Sequence, residues 1–365
     1  MMKKIIAMVL ATVMALSLAA CSTTSKSPAE SEGSSEAKTA AAEEKPSVKT
    51  SGHPYIHALP GYYADISGMY GDVFDDYTID MYANGPVQNE AIASGAWEVG
   101  TTGLAGLVLG AVGYDLKAIG VAAGDTLTTD IWVRADSPLA KCEPDENGVR
   151  GTADDWRGLT YLCVSTHLSE LVLGHALEYL GLSFDDITMI NTDAANCYTA
   201  YKAGEGDVTV LVSPYGYHGE EEGWVKICSA DMLGLEMPCI ICATDETIKE
   251  RPEVVQLWFE TFQSSADYLL ENKEETIKLF KEFSNGEGIN VTDEQAQKEV
   301  ENRPFPTRAE QKAMCTADES GTCPLERILL EYADYMRRAG KITDEDYQKL
   351  VDNSMVDPSF ALNLK

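Results

Sequence analysis

Hydroxyl residues stand next to glycine, proline, histidine or tyrosine at three places in this 365-residue chain, each where a short apolar run ends: Thr101 with Thr102, Ser165 with Thr166 and His167, and Ser213 with Tyr215. Hydroxyls donate hydrogen bonds to oxygen. So do the free N–H groups that open a helix, where the positive end of the dipole favours an anionic partner. The pattern therefore predicts recognition of a polar or anionic group rather than bond breaking. The middle group is the strongest candidate. With Thr166 as N-cap, position N3 falls on Ser169, and without Glu or Gln there to close a capping box the turn stays open to an outside ligand. Asn191 and Asp193, with Asn196 nearby, flank another strand end and supply acceptors for an ammonium group, which favours a zwitterion. Tyr62, Tyr63 and Tyr215 offer aromatic walls for the organic part of a ligand, and His57 lies just before the first two.

The rival chemistry is a transition-metal receptor built on His53, His57, His167 and His218, but their spacing matches no zinc motif. The chain holds no G-x-S-x-G, H-E-x-x-H, G-x-x-x-x-G-K or G-x-G-x-x-G. Catalysis and a resident cofactor are therefore not expected, and Gly100, Gly103 and Gly106 are read as aids to close helix packing. Cys239 and Cys242 form a C-x-x-C in a strand-like run, where an odd separation puts the two side chains on opposite faces, as buried core residues. Cys315 and Cys323 flank a polar loop, and whether they pair is left open. The net charge of −31 excludes nucleic acid as a partner and promises solubility.

These side chains need a scaffold of alternating strands and helices. Strand-like runs at Tyr77–Tyr82, Trp97–Val99 and Lys117–Ala122 alternate with helices at Gln88–Ser94 and Leu104–Val112. The pattern restarts with strands at 158–164, 187–190 and 208–212, and helices from Leu168 and Ala194. A charged insertion at 142–155 separates the two halves. From Thr244 the chain turns helical, with Pro252 in a first turn and capping-box patterns at Thr292 and Thr343. The expected fold is α/β, two Rossmann-like lobes with a hinge and an interlobe cleft: residues 51–134 form the first part of lobe 1, 135–238 form lobe 2, and 239–365 return to lobe 1. The halves echo each other, since Gly95-x-x-Glu98 and Gly204-x-x-Asp207 each give a helix end, a glycine, an acid and a strand.

Those two motifs, with Asp155-Trp-Arg-Gly158, Gly181-Leu182, Ser213-Pro214 and Gly340-Lys-Ile342, resemble in order and spacing the type II periplasmic-binding-protein superfamily, in particular receptors for taurine, alkanesulfonates, nitrate and thiamine precursors. The resemblance spans nearly all of residues 77–360. It implies a receptor that closes its lobes on a small solute, taurine-like or alkanesulfonate-like, or else a thiamine-precursor pyrimidine, and delivers it as a monomer to an ABC permease and its ATPase. The usual short strand near the mature N-terminus is hard to see. Lys3 and Lys4 precede an apolar run, Ile5 to Ala20, with the layout of a secretory signal, and Leu18-Ala-Ala-Cys21 resembles the lipobox of bacterial lipoproteins. That implies a signal at 1–20, a lipid anchor on Cys21, and an extracytoplasmic, membrane-tethered location. Residues 21–50, rich in Ser, Thr, Ala, Glu and Lys, read as a disordered tether with a reach on the order of 30 Å.

Overall fold

Val208–Val212 and Pro238–Thr244 are buried at every position, so each lies inside a sheet covered on both faces. A computed structural model describes residues 45–365 and shows two five-stranded mixed sheets. The expected signal, Cys21 and the tether up to residue 44 lie outside the described residues. The first sheet runs β2 (Asp76–Met81), β1 (Ser47–Gly52), β3 (Val99–Thr102), β10 (Pro238–Thr244), β4 (Leu116–Gly124). The second runs β7 (Thr188–Asn191), β6 (Thr160–Cys163), β8 (Val208–Val212), β5 (Thr129–Val133), β9 (Val225–Ser229). In each, three parallel strands are followed by one that runs antiparallel, β10 in the first and β5 in the second. This is the α/β architecture expected.

The chain leaves the first sheet between β4 and β5 and returns between β9 and β10. The boundary expected at 134/135 therefore moves upstream, because β5 is buried along its length and pairs with β8 and β9 of the second sheet. The two crossings lie side by side, the Asp125 N–H donating to Met237 O at 2.7 Å.

The sequence echo is one strand-pairing device used twice. Gly95 and Gly204 take φ of 65° and 99°, the left-handed conformation that ends the preceding helix. Glu98 then accepts the Lys49 N–H of β1 at 3.1 Å, and Asp207 accepts the Thr160 N–H of β6 at 2.9 Å. Each acid also donates its own N–H to the carbonyl of that same residue, at 2.9 and 2.8 Å. The acid thereby ties the entry of β3 to β1, and of β8 to β6.

Two expectations are corrected. Residues 47–50 are not tether but the start of β1, the strand that was hard to see: Val48 and Thr50 point into the core while Ser47 and Lys49 face out. One large apolar residue among small polar ones hides this strand from a composition argument. The strand expected at Trp97–Val99 instead runs Val99–Thr102, and Trp97 is a buried core residue whose Nε1 donates to Gln88 O at 2.8 Å. The capping boxes at Thr292 and Thr343 form, and others form at Thr152, Ser183 and Thr307. The C-terminal region closes on the first sheet, Val356 bridging Ala118 of β4. Cys315 and Cys323 are buried free thiols. Among the described residues no helix is long and apolar enough to cross a membrane.

Because β1 sits between β2 and β3, a chain beginning at His53 should lose its cooperative thermal transition by far-UV circular dichroism, while one beginning at Lys45 should melt like the full protein. Equal melting of the two would remove β1 from the core.

Candidate functional site

Two helices of the first lobe start at the carboxyl ends of their strands, where α/β sheets place ligands. The helix Gly85–Ile92 follows β2 and is capped by Asn84, which accepts the Val87 N–H at 3.1 Å. The helix Leu104–Tyr114 follows β3 with Gly103 as N-cap, so no side chain caps its first turn. The two approach closely enough that a Cβ on Gly85 would lie 2.5 Å from Gly106 Cα, which requires glycine there. Their first turns form one wall of a cavity of about 60 Å³. Thr166, His167, Leu168 and Val212 of the second lobe form the facing wall.

His53, directly after β1, and His57, within the 3-10 turn Ile56–Ala58, add to the lining with Tyr55. Their exposures are only 6% and 3%, their rings sit edge to face with centroids 5.5 Å apart, and neither Nε2 has a partner. Burial lowers the His53 imidazole to about 4, with His167 adding to the effect. Burial also holds His57 well below its ordinary value, helped by His53 and Arg303. Both rings are neutral at neutral pH. His57 Nδ1 lies 3.3 Å from Cys239 Sγ, and the Cys239 thiol donates to Asp125 Oδ2 at 2.8 Å. Cys239 is therefore a cavity-lining residue as well as a buried one, while Cys242 bonds to Gly100 O at 3.5 Å within the core.

The cation of the lining is Arg303, 2% exposed. It pairs with Asp125 and, at 2.6 Å, with Glu299, and its Nε donates to Gly124 O at 3.2 Å. Glu299 also accepts the Tyr217 hydroxyl at 3.0 Å. One guanidinium matched by two carboxylates leaves no surplus positive charge for a ligand. Burial raises the Asp125 carboxyl above its ordinary value, with Arg303 opposing.

Of the residues expected from the sequence, His57, Thr166 and His167 reach the cavity. The helix expected to be open is closed. Its N-cap is His167, whose Nδ1 accepts the Ser169 N–H at 3.3 Å, and Thr166 precedes it with φ of 55°. Position N3 is then Glu170, whose carboxylate accepts the Thr166 N–H at 2.5 Å and the Ser165 hydroxyl at 3.2 Å, and pairs with Lys341 at 2.9 Å. Ser165 therefore serves Glu170 and does not line the cavity. Thr101 and Thr102 lie within β3 rather than after it, buried beneath the Leu104–Tyr114 helix.

Asn191 accepts the Ser165 N–H at 2.9 Å, and Asp193 caps its own helix by accepting the Asn196 N–H at 2.8 Å. Local structure thus occupies both. Ser213 is buried at the end of β8, with its N–H on Thr128 O at 2.9 Å, and Tyr215 packs among buried side chains. Tyr62 packs on Phe283 at 5.0 Å and Tyr63 stacks on Tyr268 at 4.7 Å, so both brace the C-terminal helices rather than a ligand. His218 lies apart, bonded to Glu221 and Gln295 at 3.0 Å. His53, His57 and His167 do share the cavity, yet among the described residues no group of three or more His, Cys, Asp or Glu is placed to hold a metal. Tyr55, Asp125 and Arg303 were not foreseen. No local pattern marks them, since Asp125 and Arg303 meet across about half of the chain.

The NMT1/THI5-like family model matches residues 60–276. A protein of Brachyspira hyodysenteriae described as an ABC transporter periplasmic binding protein is 24% identical over 277 residues, covering 74% of this chain and 79% of that one. Among solved structures, the periplasmic aliphatic sulphonate binding protein SsuA from Escherichia coli superposes with a TM-score of 0.66 at 16% identity, covering 84% of this chain and 97% of that one. The periplasmic nitrate-binding protein NrtA from Synechocystis gives 0.65 at 12% identity, covering 87% of each. These likenesses establish the periplasmic-binding-protein fold.

Replacing Arg303 by Met leaves two buried carboxylates without their cation and should cost about 3–5 kcal/mol in urea unfolding; a loss under about 1 kcal/mol would contradict the buried pairing. His53 binds its proton more weakly folded than unfolded. As pH falls from 6.5 towards about 4, the unfolded chain takes up that proton first, and stability present at neutral pH is lost. The loss is on the order of 3 kcal/mol for this group, so His53→Leu should flatten the fall of melting temperature between those pH values. An unchanged slope would place His53 in contact with water.

Proposed function

This chain belongs to the NMT1/THI5-like family, and on that premise we propose that it is the solute-binding subunit of an ABC-type importer, working outside the cytoplasm and capturing a small polar organic solute between its lobes. The observation that carries this reading is the uncapped first turn of the Leu104–Tyr114 helix, opening on the same cavity as two buried histidines whose Nε2 atoms lack partners. Such a turn receives an acceptor oxygen of the sulfonate or carboxylate kind. The imidazoles and Tyr55 wall the organic part. A cavity of this kind, lined by residues of both lobes, suits a small solute.

The charge balance refines the class. Asp125 and Glu299 outweigh Arg303, so a taurine-like zwitterion, with an ammonium to set against its sulfonate, is served better than nitrate. A second reading, a planar nitrogen heterocycle of the thiamine-precursor kind, draws support from three imidazoles and a tyrosine around one cavity. In either case the lobes close by hinge motion at the paired crossings, the loaded form docks on a permease driven by a cytoplasmic ATPase, and an acylated Cys21 keeps the receptor at the membrane. The protein works as a single copy, and nothing in this cycle requires catalysis.

Thermal unfolding of the purified protein against taurine, alkanesulfonates, nitrate, pyrimidines, amino acids and divalent metals tests the proposal, because a ligand of the native state raises apparent stability by about 2.7 kcal/mol at a hundredfold excess over Kd. Taurine or an amino-pyrimidine should raise the melting temperature by several degrees, His57→Ala should abolish the shift, and Ser165→Ala should retain most of it. A shift with Zn alone would return the site to the histidines as metal ligands, and no shift with any organic class would sink the reading.

A further inference from the structure

We propose that Cys239 fixes the tautomer of His57, so that the cavity presents a bare Nε2 acceptor and selects solutes that bring a hydrogen-bond donor. The inference deepens the preceding reading and rests on this cavity being the solute site. It starts from three distances around one sulfur atom. Cys239 Sγ lies 2.8 Å from Asp125 Oδ2, 3.3 Å from His57 Nδ1 and 3.5 Å from an Arg303 nitrogen. A thiol has one proton to give and lone pairs to receive with. The Asp125 carboxylate, ion-paired with Arg303, can only accept, and it is the nearest of the three. The thiol proton therefore points at Asp125.

The sulfur lone pairs then face Arg303 and His57, and both must donate. Arg303 always does. His57 does so only if its proton sits on Nδ1, and a neutral imidazole carries just one, so Nε2 is left with its lone pair. Burial keeps this arrangement from collapsing into a thiolate and an imidazolium, because it pushes the Cys239 thiol well up and the His57 ring well down. The proton stays on sulfur. A neutral histidine side chain in water prefers the opposite tautomer, with Nε2 protonated, so the relay through Cys239 reverses the default.

His57 Nε2 has no protein partner, and the residue is 3% exposed. A buried acceptor left unpaired is costly, and a solute with an ammonium, amine or hydroxyl removes that cost. A solute with acceptors alone meets lone pair with lone pair. Since the first turn of the Leu104–Tyr114 helix can only donate, the cavity combines a donating wall with an accepting one. It therefore sorts solutes by whether they carry both kinds of group, passing an aminosulfonate or amino-heterocycle and rejecting nitrate or an unsubstituted alkanesulfonate.

The test begins with the ligand-free protein, labelled with 15N in its histidine rings and read by long-range 1H–15N correlation. In the unaltered chain His57 should be protonated at Nδ1, with that form in at least about tenfold excess. Cys239→Ser keeps one proton and lone pairs at the same place and should preserve it. Cys239→Ala, or Cys239→Val if alanine at this buried site does not fold, should shift the population to the Nε2–H form. An Nε2–H ring in the unaltered protein, or an unchanged ring in both apolar variants, overturns the relay. Titration with taurine against ethanesulfonate then reads the selection. Taurine should bind at least about tenfold more tightly, a margin falling to under about threefold in the apolar variant. Equal affinities overturn donor selection. Binding of neither sulfonate, with the Nδ1–H form present, counts against the sulfonate reading alone and supports the relay.

Discussion

The buried guanidinium of Arg303 is the constraint on which the remaining architecture hangs. It reaches Gly124 at the exit of β4, Asp125 on the first crossing, Cys239 at the re-entry into the first sheet, and Glu299 one turn back on its own helix. A residue from the C-terminal helical region thus clamps both passages between sheets, which are already joined by the Asp125 N–H on Met237 O. A cation removed from water in this way is tolerable only when it is matched and fully hydrogen-bonded. The two carboxylates that match it also decide the electrostatics of the cavity. The thiol that touches it decides the environment of His57. The paths of both crossings, the charge beside the cavity and the surroundings of His57 thus converge on one side chain.

Much of the scaffold was legible because its strands are covered on both faces and read as unbroken apolar runs. Val208–Val212 is the clearest case. The helix starting at Leu168 and the boxes at Thr292 and Thr343 were equally plain, since periodicity and caps are local signals. β1 escaped for a physical reason: a strand whose inward face holds Val48 and Thr50 offers too little apolar surface to stand out from the polar run before it, and its stability comes from pairing with neighbours on both sides. The paired glycine and acid motifs were visible as a repeat. That the acid anchors a neighbouring strand could be seen only once the partners, Lys49 and Thr160, were in place.

The site was legible in its neighbourhood more than in its members. The cavity does border strand ends, but its first-lobe wall begins at Gly103, directly after β3, where glycine leaves a first turn uncapped and no side chain advertises that fact. A one-residue misplacement of the cap before Leu168 reversed the conclusion there, since histidine is an unusual N-cap and its choice moves Glu170 into position N3. Tyrosines next to the histidines looked like pocket walls and proved to brace helices, whereas Tyr55, two residues from His57, lines the cavity. Asp125 and Arg303 belong to a pairing that only the tertiary fold creates.

Glu170 of the second lobe already accepts from Thr166 and Ser165 and is paired to Lys341, so its carboxylate is engaged. The uncapped turn and the fully buried, unpartnered Nε2 atoms of His53 and His57 belong to the first lobe. The two halves of this repeated fold therefore bring different groups to the cavity. Under the proposed function, the first half supplies the helix turn that meets an arriving solute, while movement of the second half governs its departure.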